Sequence, residues 1–490
     1  MRRREFVRSA AAALAPALLR GQGRRRNIVF ILCDDHRFDA IGALGHPWLA
    51  GQTPHLDRMV REGVHFRNAF VTSSLCSPSR ASLLTGLYMH AHRVMDNFSP
   101  LNPKLATFPQ MLQQAGYRCG FIGKWHMGGD SDEPRPGFDH WLSFPGQGEY
   151  INPPINRNGA RSRETGYVTD LLTQEAMRFI RAGAGRPFLL YLSHKAVHHP
   201  FQPPERHSRL FQGLTPPYPA SMKYVPEIYG QWPDWVRRRR YSRHGVDGLL
   251  GQTSTFDEYY RGYMRSLISV DESVGSVLSQ LEDSKLLNDT LVVYMGDNGY
   301  MWGEHGLVDK RAMYEPSIRV PLLMRCPDLF GAGTAVDGMA LNLDLAPTFL
   351  DAAGVRAPEA MHGRSLLRPA TGKAEGWRTD FVYEYEWEQD FPYTPTIIGL
   401  RTGQHSLMQY YGIWDIPELY DNRKDPEQLH NLLAGARITL GRGRYLNHVK
   451  DPEVRTLVER MQTRLAEILR QTGGDPRLSG KGSEGDRLAL

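Results

Sequence analysis

Four short stretches hold the residues best suited to chemistry, and each follows an apolar run. Asp34 and Asp35 follow residues 27–32 (NIVFIL), and Lys124 and His126 follow 117–122. His194, Lys195, His198 and His199 follow 188–192 (FLLYL), and Asp297 and Asn298 follow 291–295 (LVVYM). Asp34, Asp35, Asp297 and Asn298 make an all-oxygen set of three carboxylates and one amide. Such a set suits a hard cation, Ca2+ or Mg2+, where zinc would favour His or Cys. Without a cation the converging carboxylates would repel, and at least one would keep its proton well above the usual range. Singly, each pair also serves as a helix cap or turn; together they point to a metal. Arg80, Lys124 and Lys310 add positive charge, as expected around a sulfate or phosphate ester. A histidine there, His126 or His198, is the natural acid for an alkoxide leaving group. His194 and His199 read as structural.

Cys76 lies in "SSLCSPSRASLL". Ser77 suits an N-cap and Pro78 the first turn of a helix running through Leu83, Leu84 and Leu87. Cys76 would then precede a helix N-terminus, where the dipole and free N–H groups favour anions and acidify a thiol. Arg80, one turn on, can reach the same anion. Sulfur is nevertheless a poor partner for a hard, oxygen-bound cation, so the unmodified thiol is not the expected working group. Cys33, Cys119 and Cys326 read as buried free thiols.

The elements that must position these groups are legible in outline. The four apolar runs read as buried parallel strands separated by helical patterns, an α/β sheet covered on both faces. In such sheets ligands bind outside the carboxyl ends of the strands, so four loaded ends would face one crevice. Residues 256–282 carry Tyr260, Met264, Leu267, Val270, Val274, Val277 and Leu281 at helical spacing, a core-facing stripe. Two long stretches, 128–167 and 202–255, read as irregular walls of a cleft. The arginine run 237–240 reads as a solvated face, with contact to an anionic substrate as the alternative. Beyond 372–377, aromatic-rich segments at 381–387 and 397–401 suggest antiparallel strands. A helix capped by Asp451 and Pro452 follows. The expected division is a leader at 1–26, a large catalytic domain at 27–375, a smaller antiparallel-sheet domain at 376–473 and a flexible tail at 474–490.

The chain has 490 residues and a formal net charge of +6, but residues 1–26 hold eight arginines against Glu5. The remainder is near neutral, so charge makes no case for nucleic acid. The leader joins paired arginines to an apolar run at 10–19, too short for the about 20 residues that span a bilayer. It resembles a twin-arginine signal, predicting export to the periplasm without a stable membrane anchor.

Cys76-Ser77-Pro78-Ser79-Arg80 resembles the C-x-P-S-R signature of type I sulfatases, in the alkaline phosphatase-like superfamily. "GKWHMGG" from Gly123, "HKAVHHPF" from His194, "GDNGYMWGEHGLVDKRAMYEPSIRVPLL" from Gly296 and "ELYDNRKDPEQLHNL" from Glu418 extend the likeness over most of the chain. It implies a large domain with a mostly parallel mixed sheet between helices and a smaller domain with an antiparallel sheet and a helix. It also implies that a formylglycine-generating enzyme oxidises Cys76 to formylglycine, whose hydrated aldehyde attacks the sulfur of a sulfate ester. Asp34, Asp35, Asp297 and Asn298, with the modified Cys76, would hold one Ca2+. Arg80, Lys124 and Lys310 would stabilise the sulfuryl oxygens, His126 would assist at the diol, and His198 would protonate the leaving oxygen. In the family's H-x-P pattern Val197 departs from the usual proline. His305 would lie near the pocket. "YEYEWEQDFPYTPT" resembles carbohydrate sulfatases of the N-acetylglucosamine-6-sulfatase-like group, which would set Trp387, Glu388 and Phe391 beside a sugar, with aromatic strand packing as the alternative. The rival activities are hydrolysis of phosphonate monoesters or phosphodiesters, and non-catalytic binding of sulfated glycans.

Overall fold

The computed structural model describes residues 25–183, 185–223, 225–250, 255–435 and 449–480, so all but two residues of the expected leader lie outside them. Five parallel strands form the centre of the large sheet: Thr290–Gly296, Asn27–Cys33, Phe188–Ser193, Arg118–Gly123 and His140–Ser143, side by side in that order. The first three are buried along their whole length. Alternate residues enter opposite cores, Ile28, Phe30 and Leu32 on one face and Val29, Ile31 and Cys33 on the other. This is why the runs are apolar throughout and do not alternate.

Antiparallel pairing extends both edges, except that the outermost strand on one side pairs in parallel, giving ten strands in all. Leu322–Arg325 and Val64–Phe66 extend one side, with Thr334–Val336 outermost. Pro154–Arg157 and Ala160–Arg163 form a hairpin on the other. That hairpin lies inside the stretch expected to be irregular. Its outer strand is exposed and arginine-bearing, so no apolar alternation announces it. The Asn158-Gly159 pair at its tip, both at positive φ, is the turn signal that was available.

The helix Phe256–Asp283, capped by the Thr255 side chain, turns the expected stripe onto one face of the sheet. Cys76–Thr85, Phe108–Gln114 and Leu345–Ala352 cover the other. The core on that side continues into a four-stranded antiparallel sheet, Asp380–Tyr385, Thr396–Thr402, His405–Tyr411 and Glu418–Asp421. Against it packs the helix Pro452–Thr472, with Asp451 accepting from the Glu453 and Val454 amides. The expected flexible tail begins instead as packed chain. Pro476–Ser479 is a short helix, Ser479 is buried, and its carbonyl accepts from Gln409 at 3.0 Å. Among the described residues no helix is long and apolar enough to cross a membrane.

Candidate active site

Strand register assembles the site. Cys33 lies opposite Gly296, Leu32 opposite Ser193, and Ser193 opposite Gly123, so four strands end along one line. Gly123 passes so close to its neighbour, at φ 122°, that a Cβ would sit 1.8 Å from the Ser193 carbonyl oxygen. Only glycine permits that approach, and it delivers Lys124 to the crevice. Asp35 and His126 hold left-handed φ of 57° and 60°, unfavourable for side-chain-bearing residues and found where surrounding structure over-determines a functional position.

Asp34, Asp35, Asp297 and Asn298 converge as expected, all at most 1% exposed. One oxygen from each of the three carboxylates lies within 4.8 Å of the others. The Asp35 amide donates to Asp297 Oδ1 at 3.0 Å, and Asn298 Nδ2 donates to Asp35 Oδ1 at 2.5 Å. Asn298 Oδ1 is buried with no hydrogen-bond partner among the described residues. A buried orphan acceptor beside three carboxylates fits a hard cation with oxygen ligands, Ca2+ among them.

Cys76 points into this cage. Its Sγ is 3.3 Å from Lys310 Nζ, 3.7 Å from Lys124 Nζ and 3.6 Å from Asp34 Oδ1. Lys124 pairs with Asp34 and Lys310 with Asp35. Burial pushes Asp35 up to about 7, helped by Asp34 and Asp297 and opposed by Lys310. Burial acts on Asp34 likewise, but Lys124, His198 and Arg80 outweigh it and hold that carboxyl well below its ordinary range. One carboxylate of the set is thus kept ionised and another near neutrality, as like charges in one site require.

Two expectations about the cysteine fail. The helix starts at Cys76 itself, with Leu75 as its cap, and the Ser77 hydroxyl donates to the His126 carbonyl. The thiol is not acidified: burial, then the Asp34 charge, push it up to about 12 against the pull of Lys124 and Lys310. Desolvation outweighs the helix dipole here.

Arg80 does not point at an anion from outside. Its Nε and Nη2 donate to Asp297 Oδ2 at 2.9 and 2.7 Å, and Nη1 reaches the Lys124 carbonyl and Ser193 Oγ. It braces the Asp297 carboxylate and the strand end bearing Lys124. His198 donates Nδ1–H to the His199 carbonyl at 2.6 Å, leaving Nε2 toward the cage, 3.9 Å from Asp35. His126 Nδ1 is 3.5 Å from Ser77 Oγ. Burial, with Lys124 next, holds both imidazoles well below the ordinary value. His194 is structural, bonded to Ser273 at 3.0 Å.

The remaining expected residues lie further out. His305 is not in the cage: it is buried, stacked 3.8 Å from Tyr314 and edge-on to Trp232. Its aromatic bed comes from segments that spacing alone does not bring together. Glu388 is buried and binds Arg311 at 2.7 Å and the Tyr385 hydroxyl at 2.8 Å. Phe391 lies 3.4 Å beneath the Arg311 guanidinium, and Trp387 is about half exposed.

Several residues went unassigned in the sequence. Gln147 accepts from Lys124 at 2.6 Å, and Lys195 stands 4.6 Å over the Tyr150 ring. Arg239 is 1% exposed, so the 237–240 run is not simply a solvated face. It donates to the Lys310 and Arg311 carbonyls at 2.7 and 3.2 Å. Asp309 binds Arg311 at 2.6 Å and His244 at 3.3 Å. Asp309 and Arg311 have positive φ, so Lys310 is presented from a tight turn held by these contacts.

Residues 26–355 match the sulfatase family model, and 303–440 match one described as the C-terminal part of N-sulphoglucosamine sulphohydrolase. The chain is 32% identical over 474 residues to the N-acetylglucosamine-6-O-sulfatase of Bacteroides thetaiotaomicron, covering 84% of this chain and 83% of that one. It is 31% identical over 411 residues to the human N-acetylglucosamine-6-sulfatase, covering 78% and 71%. A solved structure described as being in complex with its substrate, D-glucosamine-2-N,6-O-disulfate, superposes with a TM-score of 0.83 at 29% identity, covering 94% of this chain and all of that one. The cage and these likenesses agree: the chain belongs to the sulfatase family, within the alkaline phosphatase-like superfamily, and is a sulfuric ester hydrolase.

Proposed function

We propose that the protein hydrolyses a sulfate ester on a sugar, of the 6-sulfated amino-sugar class, using formylglycine made from Cys76 and one Ca2+. The observation that carries this is the place of Cys76 Sγ, inside a buried ring of Asp34, Lys124 and Lys310 and beside an all-oxygen cation site. The sugar class rests on the names of the relatives and on the substrate described for the similar structure. Asp34, Asp35, Asp297 and Asn298 Oδ1 would hold the Ca2+, and formylglycine at position 76 would supply the hydrated-aldehyde nucleophile beside a Lewis acid.

The protein's own groups then divide the work. Lys124, from a strand end, and Lys310, from its turn, face Cys76 and neutralise the sulfuryl oxygens where charge grows. Arg80 keeps Asp297 aimed through two hydrogen bonds to its Oδ2. His198, with its Nδ1–H committed to a carbonyl, turns Nε2 toward the cage; once Nε2 has taken up a proton there it can pass it to the leaving oxygen. His126 stands beside Ser77 at the helix start and handles the proton of the nucleophile. Trp387, Glu388 and Phe391 belong to the rim, with Glu388 acting through Arg311. The leader supports export to the periplasm, and a formylglycine-generating enzyme is the partner the Cys76 segment requires.

The test joins two measurements on one preparation: mass spectrometry of the Cys76 peptide, and sulfate release from glucosamine 6-sulfate and related sugars. Formylglycine at 76 with turnover of the 6-sulfate is expected. Faster hydrolysis of aryl phosphonates or phosphodiesters would replace this proposal with the phosphorus-ester activity. Fully converted protein that binds sulfated sugars and releases nothing would make it a binding protein.

A further inference from the structure

A second cavity, of about 290 Å3, lies behind the turn that presents Lys310. It is lined by Arg239, Arg243, His244, Asp390, Phe391 and Tyr393, from the two loops at 239–244 and 390–394. His244 and Arg239 both reach Asp309, at 3.3 and 3.7 Å, and Arg239 also holds the Lys310 carbonyl. The cavity lining therefore touches the turn that presents Lys310 to Cys76.

Its chemistry is that of a sugar site with an acidic guest. The half-exposed Tyr393 offers a ring face, while Phe391 carries the guanidinium groups of Arg311 and Arg243. Arg239 and Arg311 are spent on Asp309, Glu388 and backbone carbonyls. Arg243 is not: it donates to the Asp390 carbonyl at 3.0 Å and lies 5.1 Å over Phe391, with no carboxylate partner among the described residues. Asp390 also makes no ion pair among them, so its carboxylate is available to sugar hydroxyls. A guanidinium held by an aromatic face recognises an oxyanion, and a carboxylate beside it recognises hydroxyls.

We propose that this cavity is a subsite for the sugar linked to the one being desulfated, and that Arg243 selects a neighbour carrying a carboxylate or sulfate. The proposal rests on the carbohydrate sulfatase assignment and adds to it the identity of the next residue.

Three 6-sulfated substrates test it: the glucosamine monosaccharide, a disaccharide linked to a uronic acid, and the same disaccharide linked to a neutral hexose. A fourth, linked to an O-sulfated hexose, separates carboxylate from sulfate as the favoured anion. For the native protein kcat/KM should favour an acidic disaccharide over the neutral one by about tenfold, the scale of one charge-assisted contact. R243A should erase that preference, R243K should restore part of it, and both should leave the monosaccharide rate unchanged. Calorimetry with the desulfated uronyl product should show the same loss of affinity in R243A. Equal rates on the acidic and neutral disaccharides would overturn the subsite, as would a native preference that survives R243A. A monosaccharide rate that falls equally in R243A would overturn it too. Absence of sulfate release from every substrate by converted native protein, with uronyl product still bound through Arg243, would sink the proposed function and leave the subsite standing.

Discussion

The cage around Cys76 and the wall made by residues 239–244 and 387–394 use the same residue types in opposite ways. In the cage every charge is buried and answered: Arg80 by Asp297, Lys124 by Asp34, Lys310 by Asp35. In the wall Trp387 and Tyr393 stand about half exposed, and Arg243 has no carboxylate partner among the described residues. The supports differ as well. Asp34, Asp35, Lys124, Asp297 and Asn298 follow the ends of paired central strands, with Cys76 and Arg80 on a helix and Lys310 on a turn, whereas wall residues come from segments that meet only through tertiary packing. A buried ion pair stripped of one partner leaves an uncompensated charge and costs about 3–5 kcal/mol, while exposed pairs contribute at most about 1 kcal/mol. Substitutions in the cage should therefore be severe and uniform over substrates, and those in the wall mild and substrate-dependent.

The severest break is Cys76→Ala. It removes the atom to be modified, and turnover should fall at least about a thousandfold while stability changes by no more than about 1 kcal/mol. Near-native sulfate release by this variant would end the assignment of Cys76. Next comes Asp297, which both faces the cation site and answers Arg80. Asp297→Asn preserves shape, and Ca2+ affinity should drop at least about a hundredfold, with activity falling in step. Asp297→Ala should in addition lose about 3–5 kcal/mol of stability, because buried Arg80 loses the carboxylate oxygen that accepts two of its N–H groups. Unchanged calcium content by elemental analysis of the Asn variant would remove Asp297 from the ligand set.

The same contrast explains what sequence reasoning could reach. The four strands were legible to within one residue at most ends, because runs such as NIVFIL are buried on both faces. Their carboxyl ends therefore located Asp34, Lys124, His198 and Asp297. Asn298 and Asp35 followed from adjacency. Three-dimensional packing decided the rest. Ser77-Pro78 has the composition of a cap, yet the His126 carbonyl takes the Ser77 hydroxyl and the helix begins two residues earlier. Cys76 at a helix N-terminus has the pattern of a reactive thiol, but complete burial beside Asp34 reverses the shift. Four consecutive arginines look solvated; Arg239 and Arg240 instead turn inward, to the Lys310 turn and to Asp247. None of these outcomes has a local signature, because each depends on what arrives from a distant segment.

Arg239 tests the joint between the two regions. It touches neither Cys76 nor the cation ligands, but it holds the two carbonyls that follow Asp309, and Lys310 depends on that turn. Arg239→Ala should lower kcat by about 10- to 100-fold with little change in KM, the cost of a catalytic group displaced by about 1 Å. Cys76 conversion and calcium content should stay intact. A KM effect with unaltered kcat would place Arg239 in the sugar wall and not behind the catalytic lysine.

Trp387 marks the mild end of the series. Its indole is about half exposed and its Nε1–H reaches the Pro392 carbonyl at 3.4 Å, so it ties one end of the wall loop to the other. Trp387→Ala should shift stability by about 0.5 kcal/mol or less, as for surface positions free of buried networks, and change monosaccharide turnover by less than about threefold. The larger effect should fall on KM for disaccharides, because the loop that it ties carries Phe391 and Tyr393. A hundredfold loss on the monosaccharide would erase the distinction between cage and wall, since the loop would then form part of the sulfate pocket itself.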